Sequence, residues 1–416
     1  MFQKIKQSYN KYPNPFKVLV FATFIDRLGS FLLYPFFALY ITARFAVGMT
    51  EVGILFAFFS IGSIFGGVIG GALADKYGRR FISILGLIIS GIGSILMGLV
   101  NSLILFLILA GFLGFFGDLG HPARQAMVVD LLSTDLQGAG FGILRVAVNL
   151  SATIGPIFGS LLVNQSYMIL FIADAISSII TAIIVYISIP ETKPIKVSEE
   201  SEDSIMKTIV GYKEALKDWV FILFLLVSII MALVYLQLNS TLSVFLRDEH
   251  NFGEDRFGFL LATNAIIVVL FQFLIANRIK KYKPMKVMAF GSLFYLIGFG
   301  MYGFISEVYL FFIAMIIITI GEMIVMPLSQ RAVGLLAPED KRGRYMALFG
   351  FSWAIPSIFG VILAGLLMDY IGPNWVWYFA AILSFISMIG LWFLHKPMEK
   401  RLKNKGNLEG IEDSAY

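Results

Sequence analysis

Twelve long apolar runs dominate this chain and leave few folds open to it. A bilayer's hydrocarbon core is ~30 Å thick, and a helix rising 1.5 Å per residue crosses it in about 20 apolar residues. Runs of that kind fall at roughly 16–42, 51–74, 81–100, 103–131, 139–164, 167–189, 219–246, 256–279, 286–305, 308–336, 345–370 and 374–395. Backbone polar groups in lipid must be satisfied within their own segment, so each run reads as a membrane helix. Composition agrees: 58% of residues are hydrophobic and 14% charged, whereas a soluble domain carries about a quarter charged residues. The chain therefore reads as an all-α polytopic membrane protein with twelve transmembrane helices. Polar, basic Met1–Tyr12 runs into an apolar stretch too long for a signal peptide's core, and no small-residue cleavage site follows, so the first run reads as a retained span.

The bases orient the spans. With the N-terminus inside, the inner segments collect Lys4, Lys6, Lys11, Lys17, Lys76, Arg79, Arg80, Lys193, Lys196, Lys207, Lys213 and Lys217 from the first half and linker. The second half adds Arg278, Lys280, Lys281, Lys283, Lys286, Lys341, Arg342, Arg344, Lys396, Lys400, Arg401, Lys403 and Lys405, against Arg44, Arg247 and Arg256 outside, a ratio of 25 to 3. The positive-inside rule then places both termini in the cytoplasm of a multi-pass cell-membrane protein. It also accounts for the basic pI without nucleic acid. The hydrophilic stretch 190–218 divides the spans into a bundle over 1–189 and another over 219–395. Its acidic run Ser198–Asp203 reads as solvated linker, 205–216 as a short surface helix, and 396–416 as a disordered cytoplasmic tail.

The chain also matches itself at an offset of 205 residues. Gly53 falls on Gly258, Lys76-Tyr77 on Lys281-Tyr282, Gly86 on Gly291, Pro122 on Pro327, Gln125 on Gln330, Asp135 on Asp340 and Gly155 on Gly360. Chance pairs of apolar residues are common in such a chain; matched Gly, Pro, Gln and Asp are not. Two pseudo-symmetric six-helix bundles in parallel orientation form a transporter architecture with its site near the midplane.

Between the second and third runs stands Gly71-Ala-Leu-Ala-Asp75-Lys-Tyr-Gly78-Arg79-Arg80. This segment resembles the loop signature of the major facilitator superfamily, and span count, repeat and loop placement extend the resemblance over the whole chain. Gly71 permits close helix approach and Gly78 a turn that a Cβ would resist. Asp75, Arg79 and Asp130, which closes span four, are expected to form a charge cluster that latches the halves on the cytoplasmic side, with Arg145 beside Asp130. The repeat copy has Lys280 for Asp75 and Pro284 for Arg79, so the latch is expected to be asymmetric.

Span five carries Gly142, Ser151, Gly155-Pro156 and Gly159-Ser160. It resembles the fifth-span motif of the superfamily's antiporters, with serine for glycine at two positions. The resemblance implies a kink at Pro156 and a small-residue face along which the other half slides, suited to export.

Ionisable side chains in hydrocarbon are costly and mark function by default. Asp26, Asp118 and Glu322 fall near the midplane, and Asp118 shifted by 205 lands one residue from Glu322. Desolvation disfavours a carboxylate's charged form, so such an acid can load a proton on one side and release it on the other. Ionised, it attracts a cationic substrate. Glu322 leads, because Gly321-Glu322 with Pro327 resembles a segment of multidrug exporters in the superfamily; Asp118 and Asp26 follow, and Asp174 reads as a helix–helix hydrogen bond. Arg124 is expected to polarise the Asp118 region, Arg331 to do the matching job in the second half, and His121 to share a proton with Asp118. Tyr34, Tyr40, Asn149, Tyr235, Gln237 and Asn239 are the cavity candidates.

The expected function is proton-coupled export of amphiphilic, drug-like small molecules by a monomer in the lipid bilayer. Span arginines keep open a proton symporter for an anionic metabolite, or a sugar exporter. No phosphate-binding loop points to ATP, no nucleophile–base set points to an enzyme, and no cofactor or metal is expected. A non-transporting receptor would carry a larger folded loop or tail.

Overall fold

The computed structural model describes residues 11–193, 215–279, 281–338 and 341–412. Expectations that fall on Lys4, Lys6, Lys196, Lys207, Lys213, Lys280, Asp340, the acidic run Ser198–Asp203 and most of the surface helix at 205–216 lie outside the described residues. The helices run α1 (Asn14–Leu33), α2 (Phe37–Phe45), α3 (Met49–Tyr77), α4 (Arg79–Leu99), α5 (Leu103–Leu131), α6 (Thr134–Val163) and α7 (Tyr167–Ser188). They continue with α8 (Trp219–Tyr235), α9 (Thr241–His250), α10 (Glu254–Ile279), α11 (Pro284–Tyr302), α12 (Val308–Leu336), α13 (Arg342–Phe349), α14 (Phe351–Tyr370) and α15 (Trp375–Glu412).

Among the described residues, eleven helical segments are long and apolar enough to cross a membrane. The twelfth expected span, the first in the chain, is α1 with α2. It holds Lys17, Asp26 and Arg27 and is broken by a 3₁₀ turn at Tyr34–Phe36, where Pro35 supplies no N–H.

The 205-residue repeat reaches the backbone. α3, α4 and α5 begin at residues 49, 79 and 103, and α10, α11 and α12 at 254, 284 and 308. Ala46 (φ 52°) ends α2 and Asn251 (φ 51°) ends α9, both in the left-handed region and again 205 residues apart. A left-handed alanine is uncommon, so its recurrence at the matched position marks the same chain reversal after the first and seventh spans.

By contact the chain forms two compact units, Met1–Lys196 with Asn239–Ala262, and Val197–Leu238 with Thr263–Tyr416. The sequence reading assigned 239–262 to the second bundle; by contact this segment belongs with the first unit. Arg247 Nη1 donates to the Leu39 carbonyl (3.3 Å), Tyr167 Oη donates to Glu254 Oε1 (3.0 Å), and Phe257 meets Phe36 edge-on at 6.0 Å.

In the first unit α3 packs most extensively on α5, α1 on α6 and α7, and α4 on α7. The α3–α5 contact depends on bare backbone: a Cβ at Gly62, Gly66 or Gly70 would overlap the main chain at Gly111, Phe115 or Leu119. Four-residue spacing puts these glycines on one face and lets the helices touch.

In the second unit α11 packs on α12 and α15, and α8 on α14 and α15. Span eleven is two helices parted at Gly350. Trp353 N bonds the Gly350 carbonyl (3.1 Å), while Ser352 Oγ donates to the Phe349 carbonyl (2.6 Å). Its counterpart α6 is continuous. The expected disordered tail is instead helical to Glu412. Beyond the apolar run, Glu399 pairs with Lys283, and Arg401 Nη1 donates to Asp218 Oδ2 (2.6 Å), which also accepts from Tyr345 Oη (2.8 Å). These ties hold the extension to helix starts of its own unit.

Candidate functional site

The first unit gathers its intramembrane charges around α1, α5 and α7. Asp26 pairs with Arg124 at 3.7 Å and accepts from Ser178 Oγ at 3.4 Å. Arg27, turned about 100° around α1 from Asp26, approaches His121 Nδ1 at 3.4 Å, and Gln125 meets the other ring nitrogen at 3.3 Å. Asp118 accepts a hydrogen bond from Ser63, and Asp174 accepts one from Ser30 (3.3 Å). The sequence reading put Arg124 with Asp118 and coupled His121 to Asp118. In the structure Arg124 pairs with the acid of span one and His121 meets Arg27 and Gln125, while Asp118 stays within electrostatic reach of both.

In the second unit Glu322 accepts from Tyr235 Oη (2.9 Å) and from Asn264 Nδ2 (2.8 Å), and Asn264 also reaches Thr319 Oγ1 (3.0 Å). The donors to Glu322 are uncharged. Tyr235 also faces Trp353 edge-on at 5.9 Å. Arg331 is exposed nine residues beyond Glu322, roughly 13 Å along the helix axis.

At the α3–α4 loop Arg79 pairs with Asp130, lies 3.7 Å from Asp75, and donates to the Ala126 carbonyl at 3.3 Å. The triad lies wholly within the first unit, and Arg145 is exposed on α6. Gly78 has φ +106°, a conformation that disfavours a Cβ. Beside it stands Glu191, whose carboxylate accepts from Arg79 N (2.8 Å) and Arg80 N (3.2 Å) and so caps α4. Arg80 donates to the Tyr186 carbonyl and stacks on the Tyr186 ring. Sequence reasoning left Glu191 in the linker; its signal was an acid directly after span six. Gly71 has room for a Cβ, with Pro122 at 3.8 Å, so the close approaches belong to Gly66 and Gly70 instead.

Span five departs from expectation in what its small face touches. A Cβ at Gly155 would strike Phe31, one at Gly159 would strike Leu32 and Phe36, and Ser151 Oγ donates to the Phe24 carbonyl (2.8 Å). That face seats α1 of its own unit, around buried Pro156. Gly142 has nothing within 4 Å of its Cβ position and takes no part. Ser160, at the far end of the face, lies against Gly258 at the start of span eight, so there the face does meet a helix of the expected second half, through the segment 239–262 that groups with the first unit.

The cavity candidates divide. Tyr40 is buried, donates to the Met97 and Gly98 carbonyls (3.5 and 3.4 Å), and packs on Phe106, Tyr167 and Phe171. Gln237 is buried and donates to the Leu233 and Gly360 carbonyls (2.8 and 3.3 Å). Tyr40 is a packing residue, whereas Gln237 also lines a cavity of about 260 Å³ with Leu233, Gly360 and Ala364. Tyr34 and Asn149 are exposed, Asn239 is half-buried, and Tyr235 meets the acid. Missed in the sequence were the hydroxyls Ser30, Ser63, Ser178 and Thr319, indistinguishable there from other helix serines and threonines.

Comparison with known proteins agrees with this architecture. The chain is 26% identical to a Na(+), Li(+), K(+)/H(+) antiporter of Planococcus maritimus, over 93% of this chain and 97% of that one. It is 23% identical to the multidrug resistance protein MdtH of Salmonella paratyphi B, over 91% and 94% of the two chains. Its fold resembles the crystal structure of the nucleoside transporter NupG, with a TM-score of 0.77 at 14% identity, covering 92% of this chain and 100% of that one. The family model described as Major Facilitator Superfamily matches residues 19–255 and 238–412. This chain, a multi-pass membrane transporter and not an enzyme, belongs to the Major Facilitator Superfamily.

Proposed function

We propose that this transporter exports amphiphilic, drug-like small molecules in exchange for protons. It acts as a monomer in the cell membrane with both termini in the cytoplasm, and its six-helix halves, 1–189 and 219–395, alternate access around the midplane. The observation that carries the reading is Glu322: its hydrogen-bond donors, Tyr235 and Asn264, are neutral. Charge there is compensated by a proton or by a cationic cargo, and competition between the two suffices for exchange. Asp26, by contrast, has Arg124 as its counter-ion, which suits it to holding spans one and four together. Asp118, bonded by Ser63, is the second proton candidate.

A second reading, exchange of alkali cations for protons, is favoured by the oxygens of Tyr235 and Thr319 around the Glu322–Asn264 pair and by the name of the Planococcus relative. Inverted vesicles with an imposed pH difference separate the two. Export of an organic cation predicts that ethidium collapses the gradient while sodium and potassium chlorides do not. Collapse by the salts alone selects the second reading, and collapse by neither overturns both.

A further inference from the structure

Where α15 leaves its apolar run, the second unit carries a cluster that transport does not use. Lys283 caps the start of α11 and Lys286 follows in its first turn. Across from them on α15, Lys286 Nζ lies 5.7 Å from the centre of the Trp392 ring. Glu399 pairs with Lys283 and receives His395 Nε2 at 3.4 Å. His395 lies within electrostatic reach of Lys283, Lys286 and Lys396. The charges that reach His395 are thus three lysines and one acid, Glu399, which pairs with Lys283, and both Lys286 and Lys396 are exposed.

The apolar side of the same surface is open. Trp392, Phe393 and Phe290 are 60%, 69% and 56% exposed. The apolar run Trp375–Leu394 is about 30 Å of helix, so Trp392 sits at its end, at the level that tryptophan takes between hydrocarbon and headgroups.

The internal repeat serves as a control. At positions 205 residues before Lys283, Lys286, Trp392, His395 and Lys396 stand Gly78, Phe81, Ile187, Pro190 and Glu191. At the matching helix ends the first unit also sets a base on an exposed aromatic, Arg80 over Tyr186, but there the guanidinium donates to the Tyr186 carbonyl. What the second unit adds is a pair of exposed lysines, Lys286 and Lys396, beside its exposed tryptophan.

We infer that Lys286, Lys396 and Trp392 form a headgroup site for an anionic phospholipid. The two ammonium groups meet the phosphate, the indole lies at the ester level, and Phe290 and Phe393 border the acyl chains. The aromatic face running into the hydrocarbon selects a lipid over free phosphate. This inference is independent of the cargo.

The test uses the full chain purified in detergent, with bound phosphatidylglycerol and phosphatidylcholine counted by native mass spectrometry. Wild type should retain phosphatidylglycerol in preference to phosphatidylcholine. K286Q/K396Q should weaken that retention about tenfold or more, from a loss of about fivefold per lysine near a membrane surface. K286R/K396R should preserve it and thereby shows that the fold survives. K11Q/K17Q, an equal loss of charge at the start of α1, should leave it unchanged. Equal binding of the two lipids, undiminished binding by K286Q/K396Q, or an equal loss in K11Q/K17Q would overturn the inference.

Discussion

Asp26 of α1 and Arg124 of α5 form an ion pair at 3.7 Å within the first unit, each side chain only 12% exposed. A pair at that depth holds two helices together chiefly because either charge alone would be stranded. Arg124→Met is therefore expected to destabilise the protein by about 3–5 kcal/mol, and Asp26→Asn combined with Arg124→Met to recover part of that loss. Thermal unfolding of the purified variants reads both. An Arg124→Met protein as stable as the parent would contradict the pairing.

Close packing of α3 on α5 makes a steric prediction. A Cβ at Gly66 would overlap the backbone of Phe115, and main chain cannot rotate away. Gly66→Val is expected to abolish folded protein in size-exclusion profiles. Gly71→Ala, where the nearest atom lies at 3.8 Å, is expected to leave the profile unchanged.

At the α4 start, Glu191 and Gly78 work together. Glu191→Ala removes the acceptor for four backbone N–H groups, those of Arg79, Arg80, Thr192 and Lys193, and is expected to cost about 1 kcal/mol. Gly78→Ala forces an L residue to φ +106° and is expected to cost about 1–3 kcal/mol. Denaturation in detergent measures both, and a Gly78→Ala protein of parental stability would count against the strained turn.

The two tyrosines make opposite predictions. Tyr235→Phe removes a donor from Glu322 and is expected to shift the pH dependence of transport. Tyr40→Phe loses the bonds to the Met97 and Gly98 carbonyls and is expected to lower stability by about 1 kcal/mol with the transport profile unmoved. Transport measured across a pH series distinguishes them.

Much of this was legible because charge is rare in the chain. The apolar runs, the repeat and the Asp75–Arg79–Asp130 cluster stand out by type and spacing, and Glu322 is conspicuous in span ten. What was not legible is which way each helix turns. Arg124 meets Asp26, 98 residues away, because of how α1 and α5 rotate against each other, and no spacing along the chain encodes that. The glycines of span five read as a face toward the other half, whereas their partners are Phe31 and Leu32 of α1. Tyr40 reads as a cavity group because a polar atom in an apolar run looks the same whether it lines a chamber or satisfies a carbonyl. The helical tail escaped notice because its ties, Glu399 to Lys283 and Arg401 to Asp218, join residues more than a hundred positions apart.

The central claim is that Glu322 exchanges a proton for cargo. Reconstituted vesicles test it by comparing ethidium accumulation driven by a pH difference with exchange of labelled for unlabelled ethidium, in wild type and Glu322→Gln. The account predicts that the variant keeps exchange to within a few-fold, roughly, while losing about tenfold or more of the pH-driven accumulation. Accumulation by Glu322→Gln at the wild-type level, under the same pH difference, would contradict it.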